Sequence, residues 1–146
     1  MATKKKTNEE VEVFDIDSID EDAELTRADL ERLRASLGTK RSEVAANIQK
    51  HISAVTEDSD NLPDEMDIAT RQSEQAYFLR IAEKEKKLLQ QIDHALAKFE
   101  RGTYGVCEGT DEAIGLKRLY LRPWTRYGLE YKEQIEREKG GRAKRR

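Results

Sequence analysis

The chain has 146 residues, of which 39% are charged, 36% hydrophobic and 6% aromatic, and its formal net charge is -3. This length and the small share of apolar residues exclude a second full-sized domain and favour one small globular unit that carries an extended element. The single cysteine, Cys107, excludes an intrachain disulfide, and without an apolar run for a signal peptide or a membrane span we expect a cytoplasmic protein that does not contact membranes.

Charge is segregated between the two ends of the chain. Nine acids and no base lie from Thr7 to Thr26, and six bases and one acid lie from Arg137 to Arg146. Such segments are usually solvated, so we interpret residues 1–25 as an acidic flexible segment and residues 140–146 as a basic tail. We predict no sequence-specific DNA binding, because the affinity of GGRAKRR for phosphate would be nonspecific and weakened by salt.

A first long helix is predicted from Thr26 onward. Thr26 can act as its N-cap, with Asp29 three residues later in an arrangement like a capping box. An apolar stripe at helical spacing follows, and its members are Leu30, Leu33, Leu37, Val44, Ile48, Ile52 and Val55. The pattern ends in EDSDNLPDEMD, residues 57–67, where Pro63 and many short polar residues indicate a turn.

A second stripe predicts a second long helix that stops at Gly102. Its members are Ala69, Ala76, Leu79, Ala82, Leu89, Ile92, Leu96 and Phe99. Because each stripe can be buried only against the other, the helices should pair antiparallel over residues 26–101, as a rod roughly 45 Å long. A hairpin that covers its own stripes has no need to dimerise, so we expect a monomer.

The residues after Gly102 predict a small globular module. Most of the aromatic residues gather there, and we expect them to pack against the base of the rod. Ala113 to Leu121 is predicted to form short extended pieces, and Leu129 to Lys139 a terminal helix ended by two glycines. The predicted fold is therefore mostly α: a long antiparallel helical hairpin, or coiled coil, followed by a small module and a C-terminal helix over residues 102–139.

Two segments, taken together, resemble the DksA/TraR family of bacterial transcription regulators. LPDEMDIA, residues 62–69, is similar to the coiled-coil tip of that family, whose D-x-x-D-x-A signature falls on Asp64, Asp67 and Ala69. YGVCEG and EAIGLKRLYLRP, with the helix after them, are similar to its zinc-finger block. The resemblance implies that RNA polymerase is the partner, that the rod enters the secondary channel of the polymerase, and that the tip acids destabilise promoter complexes.

The zinc-finger block lacks most of the ligands that the resemblance implies. The C-x2-C, x17, C-x2-C spacing of the family falls on Cys107, Thr110, Gly128 and Tyr131. A structural zinc site takes four ligands, usually Cys or His, and only one thiolate remains here. We therefore predict a degenerate module without zinc, in which Cys107 is a partly buried thiol rather than a redox sensor. Apolar packing is predicted to replace the metal, through Trp124, Tyr127 and Tyr131.

The resemblance also implies a site for guanosine tetraphosphate as an effector. Arg122 and Lys132 match residues that carry it, and Leu88 matches a packing position. Gln91 stands where the family has a lysine, which removes one charge that would face a phosphate. The other interpretation of Arg122 and Lys132 is a solvated surface.

The tip acids also have two interpretations. Asp64 and Asp67 act on the polymerase, or they are acids that the macrodipole favours at a helix N-terminus. They do not indicate acid-base catalysis, because an exposed apex offers no pocket and no histidine, so we predict that the protein is not an enzyme. The alternative to a polymerase regulator is a structural coiled-coil adaptor whose acidic tip and basic tail recruit partners.

Overall fold

The computed structural model describes residues 16–20, 23–56 and 65–145, and the predicted mostly helical fold is confirmed. A short 3-10 helix at Ile16–Ser18 is followed by α1 (Arg27–Thr56), α2 (Glu65–Arg101), α3 (Leu116–Leu121) and α4 (Leu129–Lys144). Within these ranges β-structure is limited to an isolated antiparallel bridge between Val106 and Ala113. No helix in the described part of the chain is both long and apolar enough to cross a bilayer.

α1 begins where the sequence predicts, because its first turn is capped by reciprocal hydrogen bonds. The Asp29 N–H donates to Thr26 Oγ1 at 3.2 Å, and the Thr26 N–H donates to Asp29 Oδ2 at 3.0 Å. Tyr120 of α3 donates its hydroxyl to the other oxygen of the same carboxylate. The bonds from Tyr120 and Thr26 hold the pKa of Asp29 below its ordinary value. The cap of α1 therefore also fastens the rod to the module.

Three side-chain contacts across the rod define an antiparallel register. From the base toward the tip they join Arg34 to Glu100 at 3.6 Å, Arg41 to Asp93 at 2.6 Å, and His51 to Glu85 at 2.9 Å. The residue numbers rise along α1 while they fall along α2, as in a hairpin. The first two pairs are largely exposed, and such pairs contribute about 0–1 kcal/mol each, so they select the register more than they stabilise the fold.

The core lies at the base of the rod and continues into the module. Its buried residues are Leu33, Leu37, Val44, Ile92, Ala95, Tyr104, Cys107, Ile114 and Leu119. Trp124, Tyr127 and Tyr131 pack against this cluster while partly buried. The buried hydroxyl of Tyr104 is satisfied, since it donates to the carbonyl oxygen of Pro123 at 2.8 Å.

Toward the tip, the buried face of the rod differs from the predicted stripe. Leu79 is 52% exposed and Ile52 is 42% exposed, so their predicted core positions are wrong. Phe78 stacks on His51 with 6.0 Å between the ring centroids, and Glu85 bonds with the same histidine. Successive helix residues point about 100° apart, so Phe78 turns inward where Leu79 turns outward.

The segment Leu116–Leu121 forms α3, and the predicted extended pieces are wrong there. Leu116 and Leu119 are buried, and a spacing of three residues places both on one helical face. The sequence pattern around them is short, so its period was ambiguous between strand and helix until the module packed against the rod.

Glycine ends α2 but does not end α4. Gly102 follows the last residue of α2 with a φ of 72°, in the left-handed region where glycine is favoured, and this confirms the predicted stop. Gly140 and Gly141 lie inside α4, which continues to Lys144, so the predicted end of that helix is wrong. Neither glycine has a positive φ, and the basic residues of the last turn interact favourably with the macrodipole.

Candidate functional site

The predicted tip residues lie at the start of α2 or just before it. Asp67 and Ala69 are exposed in the first turns of α2, which begins at Glu65, so Asp67 belongs to the helix rather than to the turn. Asp64 lies outside the described residues. An exposed carboxylate at the N-terminal end of a helix is favoured by the macrodipole and is accessible to a partner.

The four positions that match zinc ligands of the family lie around one cleft of the module. Cys107, Thr110, Gly128 and Tyr131 all line this cleft, whose volume is about 320 Å³. A Cβ added at Gly128 would lie 4.0 Å from the Cys107 sulfur. A Cβ added at Gly109 would lie only 2.2 Å from the Tyr131 ring, so this ring packs directly on the turn that follows Cys107.

The side chains at these four positions do not fit a zinc ion. Cys107 offers one thiolate and Thr110 a hydroxyl, Gly128 has no side chain, and the ring of Tyr131 occupies the space above Gly109. In residues 16–20, 23–56 and 65–145, no three His, Cys, Asp or Glu side chains are grouped as metal ligands. A structural zinc site requires four such ligands in a tetrahedral shell.

We expect protein purified without chelators to contain far less than one equivalent of zinc, as measured by elemental mass spectrometry. The matched control is the triple variant T110C/G128C/Y131C, which restores four thiolates and removes the tyrosine ring, and which should take up about one equivalent. Stoichiometric zinc in the unmodified protein would contradict the prediction.

Cys107 is more buried than the sequence predicts, since it is 1% exposed. Burial raises the pKa of its thiol, but hydrogen bonds from the Thr110 hydroxyl and from the backbone N–H groups of Gly128, Gly109 and Thr110 outweigh burial and lower the pKa to about 7. The charge of the thiolate is stabilised here by the chain itself.

A second cleft, of about 210 Å³, brings together most of the residues predicted for the nucleotide; we name it the basic cleft. Arg122, Lys132 and Gln91 line the basic cleft, whereas Leu88 packs against the core. Two further cations that the sequence analysis missed, Arg118 and Arg126, stand in the same wall. The spacing of four between Arg118 and Arg122 is a signal for the first, but no local pattern points to Arg126.

Two cations of the basic cleft, Arg118 and Arg126, contact Tyr127 in the loop between α3 and α4. Arg118 Nε donates to the carbonyl oxygen of Tyr127 at 3.0 Å, and the guanidinium of Arg126 lies 5.6 Å from the centroid of the Tyr127 ring. Trp124 adds a second aromatic side chain, and none of the described residues that line the cleft is acidic. Guanidinium groups beside aromatic rings are suited to an anion that carries both phosphates and a planar ring.

Glu108 contacts a histidine, a lysine and an arginine at the joint between the rod and the module. One carboxylate oxygen bonds with His94 Nε2 and lies 3.7 Å from Lys98 Nζ, and the other lies 2.8 Å from Arg126 Nε. A backbone hydrogen bond joins the same two loops, since the Glu108 N–H donates to the Arg126 carbonyl oxygen at 3.0 Å. The sequence pattern does not predict this cluster, because its members come from α2 and from two separate loops.

Both the sequence and the fold are similar to those of known proteins. The family model described as DnaK suppressor protein DksA, N-terminal domain, matches residues 29–99. The RNA polymerase-binding transcription factor DksA of Caulobacter vibrioides is 34% identical over 108 residues, which are 74% of this chain and 76% of that protein. The protein of the same name from Escherichia coli is 29% identical over 99 residues, which are 68% of this chain and 66% of that protein. The solved structure of transcription factor DksA2 from Pseudomonas aeruginosa has a TM-score of 0.73 and 37% identity, covering 85% of this chain and 95% of that one.

Proposed function

Since the chain belongs to the DksA/TraR family, we propose that it is a transcription regulator that binds RNA polymerase through the secondary channel of that enzyme. The two relatives from Caulobacter and Escherichia are both named for binding RNA polymerase. The protein itself is a regulator and not an enzyme. The observation that carries the proposal is the slender pair of helices that extends beyond the module.

The dimensions of the rod support entry into a narrow channel. The 30 residues of α1 span about 45 Å at 1.5 Å per residue. The core shared with the module lies at the base of the rod, where Leu33 and Leu37 of α1 pack with Ile92 and Ala95 of α2. From Val44, the last core residue of α1, to Thr56 the helix continues for about 18 Å. A protrusion only two helices wide is the shape that a channel admits.

The charge of the tip supports a role inside that channel. Six acids lie between Glu57 and Asp67, without a base among them. A concentration of negative charge repels itself, and it also steers the tip toward a basic channel wall and raises the rate of encounter. We propose that Asp67, with Asp64 and Ala69, acts on the catalytic region of the polymerase and shortens the lifetime of promoter complexes.

We further propose guanosine tetraphosphate as an effector that binds at the basic cleft. In this proposal Arg122 and Lys132 contact its phosphates, and the aromatic rings of the cleft contact its base. Gln91 lacks the charge that the family has there, but Arg118 and Arg126 bring the cleft to four cations. Charge-assisted hydrogen bonds are roughly twice as strong as neutral ones, so these two arginines compensate for the missing lysine.

A pull-down with RNA polymerase from the same cell tests the function. We expect the immobilised protein to retain the polymerase. An excess of a transcript-cleavage factor, which enters the same channel of the polymerase, should release the polymerase from the immobilised protein. Retention that persists under this competition, or no retention, favours the coiled-coil adaptor instead. For the effector, Lys132→Ala should remove the response of promoter complexes to guanosine tetraphosphate, whereas Lys139→Ala, the same change at an exposed position of α4, should keep it.

A further inference from the structure

We propose that Glu108 is the positioning residue of the basic cleft: it holds Arg126 in the cleft wall and ties the module to α2 through His94 and Lys98. The consequence for an effector rests on the proposed function. The joint itself rests only on contacts within this chain.

The carboxylate of Glu108 uses both of its oxygens at the joint. One oxygen serves His94 and Lys98 of α2, and the other serves Arg126, which lies between α3 and α4. The Glu108 side chain is 24% exposed and that of Lys98 is 6% exposed. An ammonium as buried as that of Lys98 requires a charged or hydrogen-bonded partner. Lys98 has both, since its Nζ lies near the Glu108 carboxylate and donates to the Val106 carbonyl oxygen at 3.0 Å.

The protonation of these groups agrees with a charged cluster. Partial burial raises the pKa of Glu108, but hydrogen bonds from His94 and Arg126 outweigh burial and hold that pKa below its ordinary value. Burial lowers the pKa of Lys98, and the neighbouring carboxylate of Glu108 opposes this shift. Glu108 therefore carries its negative charge near neutral pH, beside the ammonium of Lys98 and the guanidinium of Arg126.

Glu108 connects the two loops that a metal would join. It directly follows Cys107, and Arg126 stands two residues before Gly128, so the pair spans the two halves of the degenerate zinc site. The side-chain contact of 2.8 Å and the backbone hydrogen bond of 3.0 Å run in parallel between these loops. In the absence of four ligands, this charged double link holds the loops in register.

The contact between Glu108 and Arg126 also affects ligand binding, because Arg126 lines the basic cleft. The Arg126 side chain is 46% exposed, and without Glu108 the Tyr127 ring would restrain its rotamers more weakly than an ion pair does. Glu108 does not line the cleft, so its negative charge stands behind the arginine rather than facing an anion. A cation that is already oriented loses less conformational entropy on binding, which is the advantage of preorganisation.

The joint is tested without polymerase by nuclear magnetic resonance of the Arg126 Nε–Hε group. Wild-type protein should show a resonance protected from exchange, Glu108→Gln should lose it, and Glu112→Gln should keep it. Glu112 is the matched control, because it lies in the same loop and its carboxylate pairs with no cation among the described residues. A protected resonance in Glu108→Gln would overturn the proposal.

Glu108→Gln leaves Lys98 buried beside a neutral amide, which can unfold the joint. The double variant K98M/E108Q removes that ammonium and is measured in its place if the single variant does not fold. It should fold and still lack the protected Arg126 resonance. A protected resonance in the folded double variant would overturn the proposal as well.

The effector response gives the second readout. In Glu108→Gln the concentration of guanosine tetraphosphate for half-maximal effect on promoter complexes should rise about tenfold, with the maximal effect unchanged. The double variant E108Q/R126Q should be no worse than Arg126→Gln alone, because Glu108 acts through Arg126. Additive losses, or an equal loss in Glu112→Gln, would overturn the proposal. Failure of the proposed function is seen separately, as a wild-type protein that neither retains polymerase nor responds to the effector.

Discussion

Replacing Asp67 with Asn should abolish the effect of the protein on the lifetime of promoter complexes and leave its affinity for RNA polymerase within about twofold. The change keeps the shape of the side chain and removes one charge of the six between Glu57 and Asp67. Five acids still steer the tip, so binding persists, whereas the proposed contact with the catalytic region is lost. Asp67 is exposed near the helix N-terminus, and its loss there costs at most about 1 kcal/mol, so the rod stays folded.

The matched control for this experiment is Asp111→Asn. It is the same chemical change at an exposed position of the module, and the φ of 58° at Asp111 lies in the left-handed region that Asn also tolerates. The lifetime of promoter complexes is measured at a saturating concentration of each variant. The affinity of each variant for RNA polymerase is measured by competition with the wild-type protein. Unchanged regulation by the Asp67 variant, or an equal loss in the Asp111 variant, would rule out the proposed role of Asp67.

Gly109→Ala should destabilise the module by about 2–3 kcal/mol, because it forces the Tyr131 ring out of its place. The added Cβ would lie 2.2 Å from two ring atoms, far inside van der Waals contact. Tyr131 packs against the core and against Tyr127, with 5.2 Å between the ring centroids, so its displacement exposes apolar surface. Chemical denaturation followed by the fluorescence of Trp124 measures the change.

Two comparisons establish that the cause is the tyrosine. Gly140→Ala should stabilise the protein by up to about 1 kcal/mol, since a Cβ there meets nothing within 4 Å and alanine is favoured inside a helix. The double variant G109A/Y131A should be no less stable than Tyr131→Ala alone, because the clash is gone. A fully stable Gly109→Ala protein would show that the ring does not replace the metal as a packing element.

The features that the sequence predicts correctly are local ones. The capping box of Thr26 and Asp29 and the stop at Gly102 depend on residues within one turn of helix. The pairing of two long helices follows because each has an apolar stripe that only the other can bury. Where the pattern was short or unevenly apolar, as at Leu79 or around Leu116, the local signal selected the wrong face or the wrong element.

Some of the functional residues could be predicted from the sequence, and others are brought together only by the fold. Arg122 and Lys132 were predicted through resemblance and lie together in the basic cleft, whereas Arg126 enters that cleft only because the loop after α3 folds back against the Cys107 turn. Nothing within a few residues of Glu108 indicates that it meets His94, Lys98 and Arg126. Such contacts depend on distances between elements, and spacing along the chain does not contain those distances.

By itself, the sequence determined that this protein is a helical rod with acids at one end and a small module, depleted of metal ligands, at the other. Periodicity and caps act over a few residues, so they can be read directly from the chain. Only the tertiary structure decided how that module is held together without four metal ligands. Two contacts hold it: the partly exposed carboxylate of Glu108, which meets a histidine, a lysine and an arginine, and the Tyr131 ring packed on Gly109. Both form only when distant segments pack.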